Sequence, residues 1–119
     1  MNHKLTKEQI INQAFKFHAQ GKVKEAKKYY EIFINEGFKD HRVFINYGMI
    51  LKNNGKLKEA ELWTRKAIEL KPDCTDAYYN LGIILSNLGK LKEAELCSKK
   101  IMSLRSWSIA GSHSFNYWS

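Results

Sequence analysis

Three glycines, Gly21, Gly55 and Gly89, stand 34 residues apart, and each is followed by Lys, then Val or Leu, then Lys-Glu-Ala. The second and third copies, "GKLKEAELW" and "GKLKEAELC", agree at eight of nine positions. A chain of 119 residues with a period this short has few folds open to it. One unit of that length cannot bury an apolar face alone, so units must stack on one another, and about three are the minimum for stability.

The period divides the chain into a lead-in (1–6), three units (7–40, 41–74 and 75–106) and a tail (107–119). Each unit reads as two helices meeting at its glycine. The first helices are predicted over 7–20, 42–54 and 76–88, and the second over 23–36, 57–70 and 91–104. Residues favourable to helix dominate, and apolar positions rarely alternate with period two. Glycine just past a helix end closes it in the left-handed region at little cost. Thr6 with Gln9 forms a capping box on paper, Asp40 is a cap for the second unit, and Pro72 stops the fourth helix. Ala14, Gly48 and Gly82 share one repeat position and Ala26, Ala60 and Ala94 another, which lets paired helices cross closely. The larger Ile10, Phe17, Phe44, Tyr47, Leu51, Tyr78, Leu81 and Leu85 flank them.

These residues resemble the tetratricopeptide repeat (TPR). In the second unit Phe44, Tyr47, Gly48, Leu51, Ala60, Ala67 and Pro72 stand at seven of eight signature positions, with Thr64 in place of the usual aromatic. The third unit keeps Tyr78, Leu81, Gly82, Leu85 and Ala94 and departs at Ser98, Ile101 and Ser106. The first keeps Ala14, Phe17, Ala26 and Tyr30. The resemblance implies an all-α fold, a right-handed α-α superhelix of about six antiparallel helices.

The last stretch breaks the pattern. Units two and three match at fourteen of their first twenty-six positions but at one of the final eight, the change falling after Lys100. Trp107, Ile109, Phe115, Tyr117 and Trp118 are large and apolar among serines. Three readings stand open: a tail folded back over the last helix, a disordered tail, or repeats lost by truncation or a frame shift. An uncapped apolar end also suggests a homodimer.

No catalytic pattern is present. There is no Gly-x-Ser-x-Gly, no phosphate-cradling glycine loop and no His-Glu-x-x-His, and His3, His18, His41 and His113 share no helical face. Cys74 and Cys97 have no zinc-like spacing with the histidines and read as reduced thiols. Neither enzyme activity, nor a cofactor, nor a metal is expected. No apolar run suits a signal peptide or a membrane span, so the expected location is cytoplasmic.

The resemblance implies a role in protein–protein interaction, with a peptide or helix of a partner held in a concave groove lined by the first helices. Asn12, Asn46 and Asn80 form a ladder there at 34-residue spacing. An amide carries both donors and an acceptor, so it can match the backbone of an extended peptide, or it can serve the helix pair itself. Beside the ladder run Ile11, Phe15, Ile45, Met49, Tyr79 and Ile83, which make the first helices apolar nearly all round. Glu8, His18 and Ala19 of the first unit, Arg42, Lys52 and Asn53 of the second and Asp76, Ser86 and Asn87 of the third complete the groove positions. The carboxylate clamp that some family members use for chaperone C-termini is not expected. Its cationic and amide positions fall on Ile11, Phe15, Asp76 and Asn80, and only Asn46 matches.

Twenty basic against twelve acidic residues give a net charge of +8. Much of that charge recurs on the turns and second helices at Lys22, Lys56 and Lys90 and at Lys24, Lys58 and Lys92, each of the latter followed by glutamate. Helix-supporting pairs and solubility account for most of it, while a nucleic-acid or anionic-surface face is the rival reading.

Overall fold

The computed structural model describes residues 4–117, with side chains described through residue 106. Six helices follow one another: α1 (Lys7–Ala19), α2 (Val23–Asn35), α3 (His41–Asn53), α4 (Leu57–Leu70), α5 (Thr75–Asn87) and α6 (Leu91–Tyr117). No strand occurs among the described residues. The helices pack as three hairpins, α1 with α2, α3 with α4 and α5 with α6, and the hairpins stack in chain order.

The recurring Gly-Lys is the closure of each first helix. Gly21, Gly55 and Gly89 take φ of 76°, 82° and 80°. The following lysine N–H then reaches back to the carbonyl of Phe17, Leu51 or Leu85 at 2.8–2.9 Å, while the glycine N–H bonds His18, Lys52 or Ser86 at 3.0 Å. This paired closure satisfies carbonyls the helix end would leave open. A side chain at these glycines would be strained by φ alone, which is why the residue recurs. At the helix starts, Thr6 and Gln9 form the reciprocal capping box, and the Asp40 carboxylate accepts from the Arg42 backbone N–H at 2.8 Å.

The core runs the length of the stack. Tyr30, Phe33, Ile10, Val43, Leu51, Ile84 and Leu85 are all essentially inaccessible, each contributing about 1.5–3 kcal/mol by burial. Small residues let the hairpins close. A Cβ on Gly48 would lie 2.6 Å from the Thr64 hydroxyl oxygen, so α3 and α4 meet there with no room for a methyl. Trp63 fills the other side of that hairpin against Phe44 and Tyr47, with ring centroids 5.1 and 5.8 Å away. Cys74 and Cys97 are buried free thiols, and burial pushes the Cys97 thiol up.

Two expectations are corrected. The sixth helix does not end near residue 104 but runs as one helix to Tyr117. The pattern of the repeat stops after Lys100, yet 101–117 contains no proline, so nothing forces the backbone hydrogen bonding to stop with it. The packing of the tail side chains, folded back or otherwise, lies outside the described residues. The second correction concerns the groove: Ile11 and Ile45 are only 3% and 9% exposed. The next hairpin in the stack covers them, so they belong chiefly to the core between repeats.

Candidate functional site

The first helices bring residues of all three repeats around Asn46. Phe15 from α1, His41, Arg42, Ile45 and Asn46 from α3, and Cys74 and Asp76 at the start of α5 line a cavity of about 420 Å³. Phe15, His18, Ala19 and Asn46 line a second of about 300 Å³. Phe15 and Asn46 belong to both, so the two form one depression across the first and second repeats. Ile45 reaches it as part of the floor.

Arg42 borders this depression but is already engaged. Its guanidinium grips the Asp40 carboxylate at 3.1 and 2.9 Å and lies over the Phe15 ring, 5.2 Å from the centroid. Burial works to raise the Asp40 pKa, but the hydrogen bonds and charge of Arg42 outweigh it and hold the carboxyl below its ordinary value. The charged groove positions, Glu8, Arg42, Lys52 and Asp76, balance in sign. In a chain of net charge +8, this face is electrically neutral.

The asparagine ladder divides. Asn46 donates its side-chain N–H to the Tyr30 hydroxyl at 3.0 Å, and Tyr30 lies 2.7 Å from His18 Nδ1. An amide nitrogen can only donate, so the hydroxyl oxygen accepts from Asn46, while the direction of its bond with His18 Nδ1 follows the tautomer of the ring. Asn46 keeps its carbonyl and a second N–H for other partners. Asn12 is exposed and Asn80 half-buried, and neither makes a side-chain hydrogen bond among the described residues. One rung is thus engaged within the fold, and the amides of the other two are not, among the described residues.

The remaining stripe splits as well. Phe15 and Met49 are half-buried, and Lys52 and Asn53 lie half-buried and exposed on the last turn of α3. Tyr79, Ile83 and Asn87 line a different cavity, of about 460 Å³ between α5 and α6. His41 and Cys74 were not among the residues expected to matter at the groove, and no local pattern points to them. They enter because the start of α5 lies beside the start of α3. Tyr30 could have been found: it is the aromatic of the first repeat at the position Thr64 holds in the second, on a helix facing the next asparagine.

On the outer face, Glu61 binds Arg65 at 2.9 Å and Lys90 at 3.2 Å, and Arg65 continues to Glu93 at 3.1 Å, joining the second hairpin to the third. Burial tends to raise the Glu61 pKa, yet its two cationic partners leave it lowered. Lys24, Lys58 and Lys92 are exposed. Among the described residues no cluster of histidine, cysteine and carboxylate side chains could hold a metal ion, and no helix is long and apolar enough to cross a membrane.

Comparisons with known proteins agree with this architecture. The second TPR of Spaghetti (RPAP3), solved bound to the HSP90 peptide SRMEEVD, superposes with a TM-score of 0.74 at 24% identity, over 82% of this chain and 85% of that one. PcrH, solved with the chaperone binding region of PopB, gives 0.75 at 18% identity over 88% and 87%. The TPR2B domain of yeast Sti1, solved as a TPR2B-domain:pHsp70 complex, gives 0.75 at 19% over 92% and 88%. At these identities the likeness is one of fold. Human protein O-mannosyl-transferase TMTC3 is 37% identical over 78 residues, which are 63% of this chain but only 8% of that protein's length. Residues 12–119 match the model of the cilia and flagella-associated protein 70 middle TPR-like domain. With nearly the whole chain matched and three stacked helix hairpins in the structure, the chain belongs to that family of tetratricopeptide-repeat domains.

Proposed function

We propose that the chain is a protein–protein interaction module whose concave face holds an uncharged, partly apolar peptide segment of a partner. The observation that carries this is the depression around Asn46, to which three repeats contribute Phe15, Arg42, Ile45, Asn46 and Asp76. A concave, mostly apolar site with a few convergent polar groups is the usual form of a binding pocket. Asn12 and Asn80, at the equivalent repeat positions of the neighbouring first helices, have amides unengaged among the described residues, suited to the alternating N–H and C=O groups of an extended backbone.

The neutrality of this face favours a ligand chosen by shape and backbone pairing. An acidic C-terminus finds no cationic clamp, because Arg42 is engaged with Asp40 and Asp76 stands at a clamp position. The lysines lie mainly on turns and second helices, away from the groove, and Lys90 is tied to Glu61.

Panning a displayed library of random peptides against the purified protein tests the reading. Enriched peptides should be uncharged at their centre, should bind about as well in high as in low salt, and should weaken about tenfold with Asn12→Ala and Asn80→Ala together. Enrichment of acidic C-termini, or steep loss of binding with salt, would overturn it. The second result would point to the lysine face, because phosphate contacts weaken strongly with ionic strength.

A further inference from the structure

The stack has two unlike ends. Its interior contacts set the standard: each hairpin presents a groove between its two helices, and the first helix of the next hairpin fills it. Thus α3 lies against α2 and reaches α1 where Arg42 covers the Phe15 ring, and α5 lies against α3 and α4. The seated helices use a fixed set of positions, Val43, Tyr47 and Ile50 in α3 and Ala77, Leu81 and Ile84 in α5. Of these, Val43, Ile50, Ala77, Leu81 and Ile84 are 0–3% exposed.

In α1 the same positions hold Gln9, Gln13 and Lys16, all exposed. That end is finished with polar side chains. At the other end the groove between α5 and α6 is built but unfilled by any described residue. Position by position, Ile11 and Ile45 are 3% and 9% exposed, whereas their equivalent Tyr79 is 62% exposed. Tyr30 and Thr64 are fully buried, whereas their equivalent Ser98 is exposed. Tyr79, Ile83, Leu91, Ala94, Ser98 and Ile101 line the resulting cavity of about 460 Å³.

We propose that the groove between α5 and α6 docks an amphipathic helix of a partner protein, seated as α5 sits on α3 and α4. The occupant is specified by the interface it continues. It carries apolar residues at i, i+4 and i+7, the first of them small or β-branched, as at Ala77, Leu81, Ile84 and Val43, Tyr47, Ile50. A basic residue follows its C-terminal end, because Lys90 reaches back to Glu61 in the filled groove and Glu95 is the equivalent acid in the open one. Glu95 is 66% exposed and, among the described residues, is paired only with Lys99 at 3.4 Å. A second copy docking head to tail is the wrong occupant, because it would bury Gln9, Gln13 and Lys16 of α1. This site is separate from the concave face and stands or falls without it.

The test uses the full chain and two synthetic peptides. Residues 40–56 carry the α3 positions together with the Asp40 cap and Lys56, the equivalent of Lys90. Residues 6–22 carry the polar α1 positions. The labelled 40–56 peptide should bind the chain by fluorescence anisotropy, and the 6–22 peptide should bind at least about tenfold more weakly. Ser98→Arg, at an exposed position that leaves folding intact, should weaken 40–56 binding about tenfold at unchanged helicity. Glu95→Lys should weaken it less. Equal binding of both peptides, or binding indifferent to Ser98→Arg, would overturn the proposal. So would a stable dimer in sedimentation that Ser98→Arg dissociates, since a second copy would then own the groove.

Discussion

The side-chain amide of Asn46 in α3 donates a hydrogen bond of 3.0 Å to the hydroxyl of Tyr30 in α2, across the junction between the first two repeats. The same hydroxyl lies 2.7 Å from His18 of α1, so one oxygen ties three helices. The second junction has no counterpart. Thr64 stands where Tyr30 would, and its hydroxyl is buried without a partner, leaving Asn80 to itself.

Tyr30→Phe removes both bonds and keeps the ring in the core. It should cost about 1–2 kcal/mol in urea unfolding, the worth of two part-buried hydrogen bonds whose abandoned partners can reach water. Combined with Asn46→Ala, the losses should add to clearly less than their sum. Full additivity would show that the contact contributes nothing to the junction.

Gly48 and Gly82 occupy one repeat position, yet alanine should act oppositely at the two. At Gly48 the new methyl would meet the Thr64 hydroxyl at 2.6 Å and the Ala60 carbonyl at 3.3 Å, a cost of about 1–3 kcal/mol. At Gly82 it would meet Cys97 Cβ at 3.6 Å, an ordinary contact, and the gain in helix propensity is up to about 1 kcal/mol. Thr64→Ala should recover much of the Gly48→Ala loss. Thermal midpoints of Gly48→Ala, Gly82→Ala, Thr64→Ala and the Gly48→Ala/Thr64→Ala double variant decide it, and a stabilised Gly48→Ala would refute the packing argument.

Stability should fall at both ends of the pH scale, for nameable reasons. Burial opposes but Arg65 and Lys90 lower the Glu61 pKa below its ordinary 4.5, so the folded state binds fewer protons there than the unfolded chain. That contribution is present above pH 4.5 and is lost as pH falls through the lowered folded value. At the alkaline end Tyr47, half-buried and donating to Glu31 at 2.9 Å, is pushed from 10 up to about 12. A raised acid keeps its proton in the folded state, so stability is lost as pH rises from 10 towards 12. Glu61→Gln should flatten the acid limb of chemical unfolding, and Tyr47→Phe the alkaline limb. Unchanged limbs would exclude these two groups as the cause.

Most of the scaffold was readable from spacing alone. Helix closure, capping and crossing are local, so Gly21, Thr6, Asp40 and Gly48 announce them within a few residues. Burial in a stack is not local. Ile11, Ile45 and Tyr79 hold one repeat position, and only the presence or absence of a following hairpin separates core from surface. The end of α6 was misplaced for another reason: loss of the repeat pattern removes stacking information, whereas a helix ends only when its hydrogen bonding is interrupted. At the groove, spacing located the asparagines, but the prior claim of Tyr30 on Asn46 needed three dimensions.

Thr64 has a consequence for how the molecule unfolds. In a stack where each hairpin touches only its neighbours, the whole responds as one only if the middle unit holds. The unsatisfied hydroxyl and the tight Gly48 crossing both sit in that middle unit. The cooperativity of the entire array therefore passes through the hairpin that carries the unsatisfied hydroxyl. Loosening it would leave two single hairpins, neither able to persist alone, and the domain would be lost as a unit rather than frayed from an end.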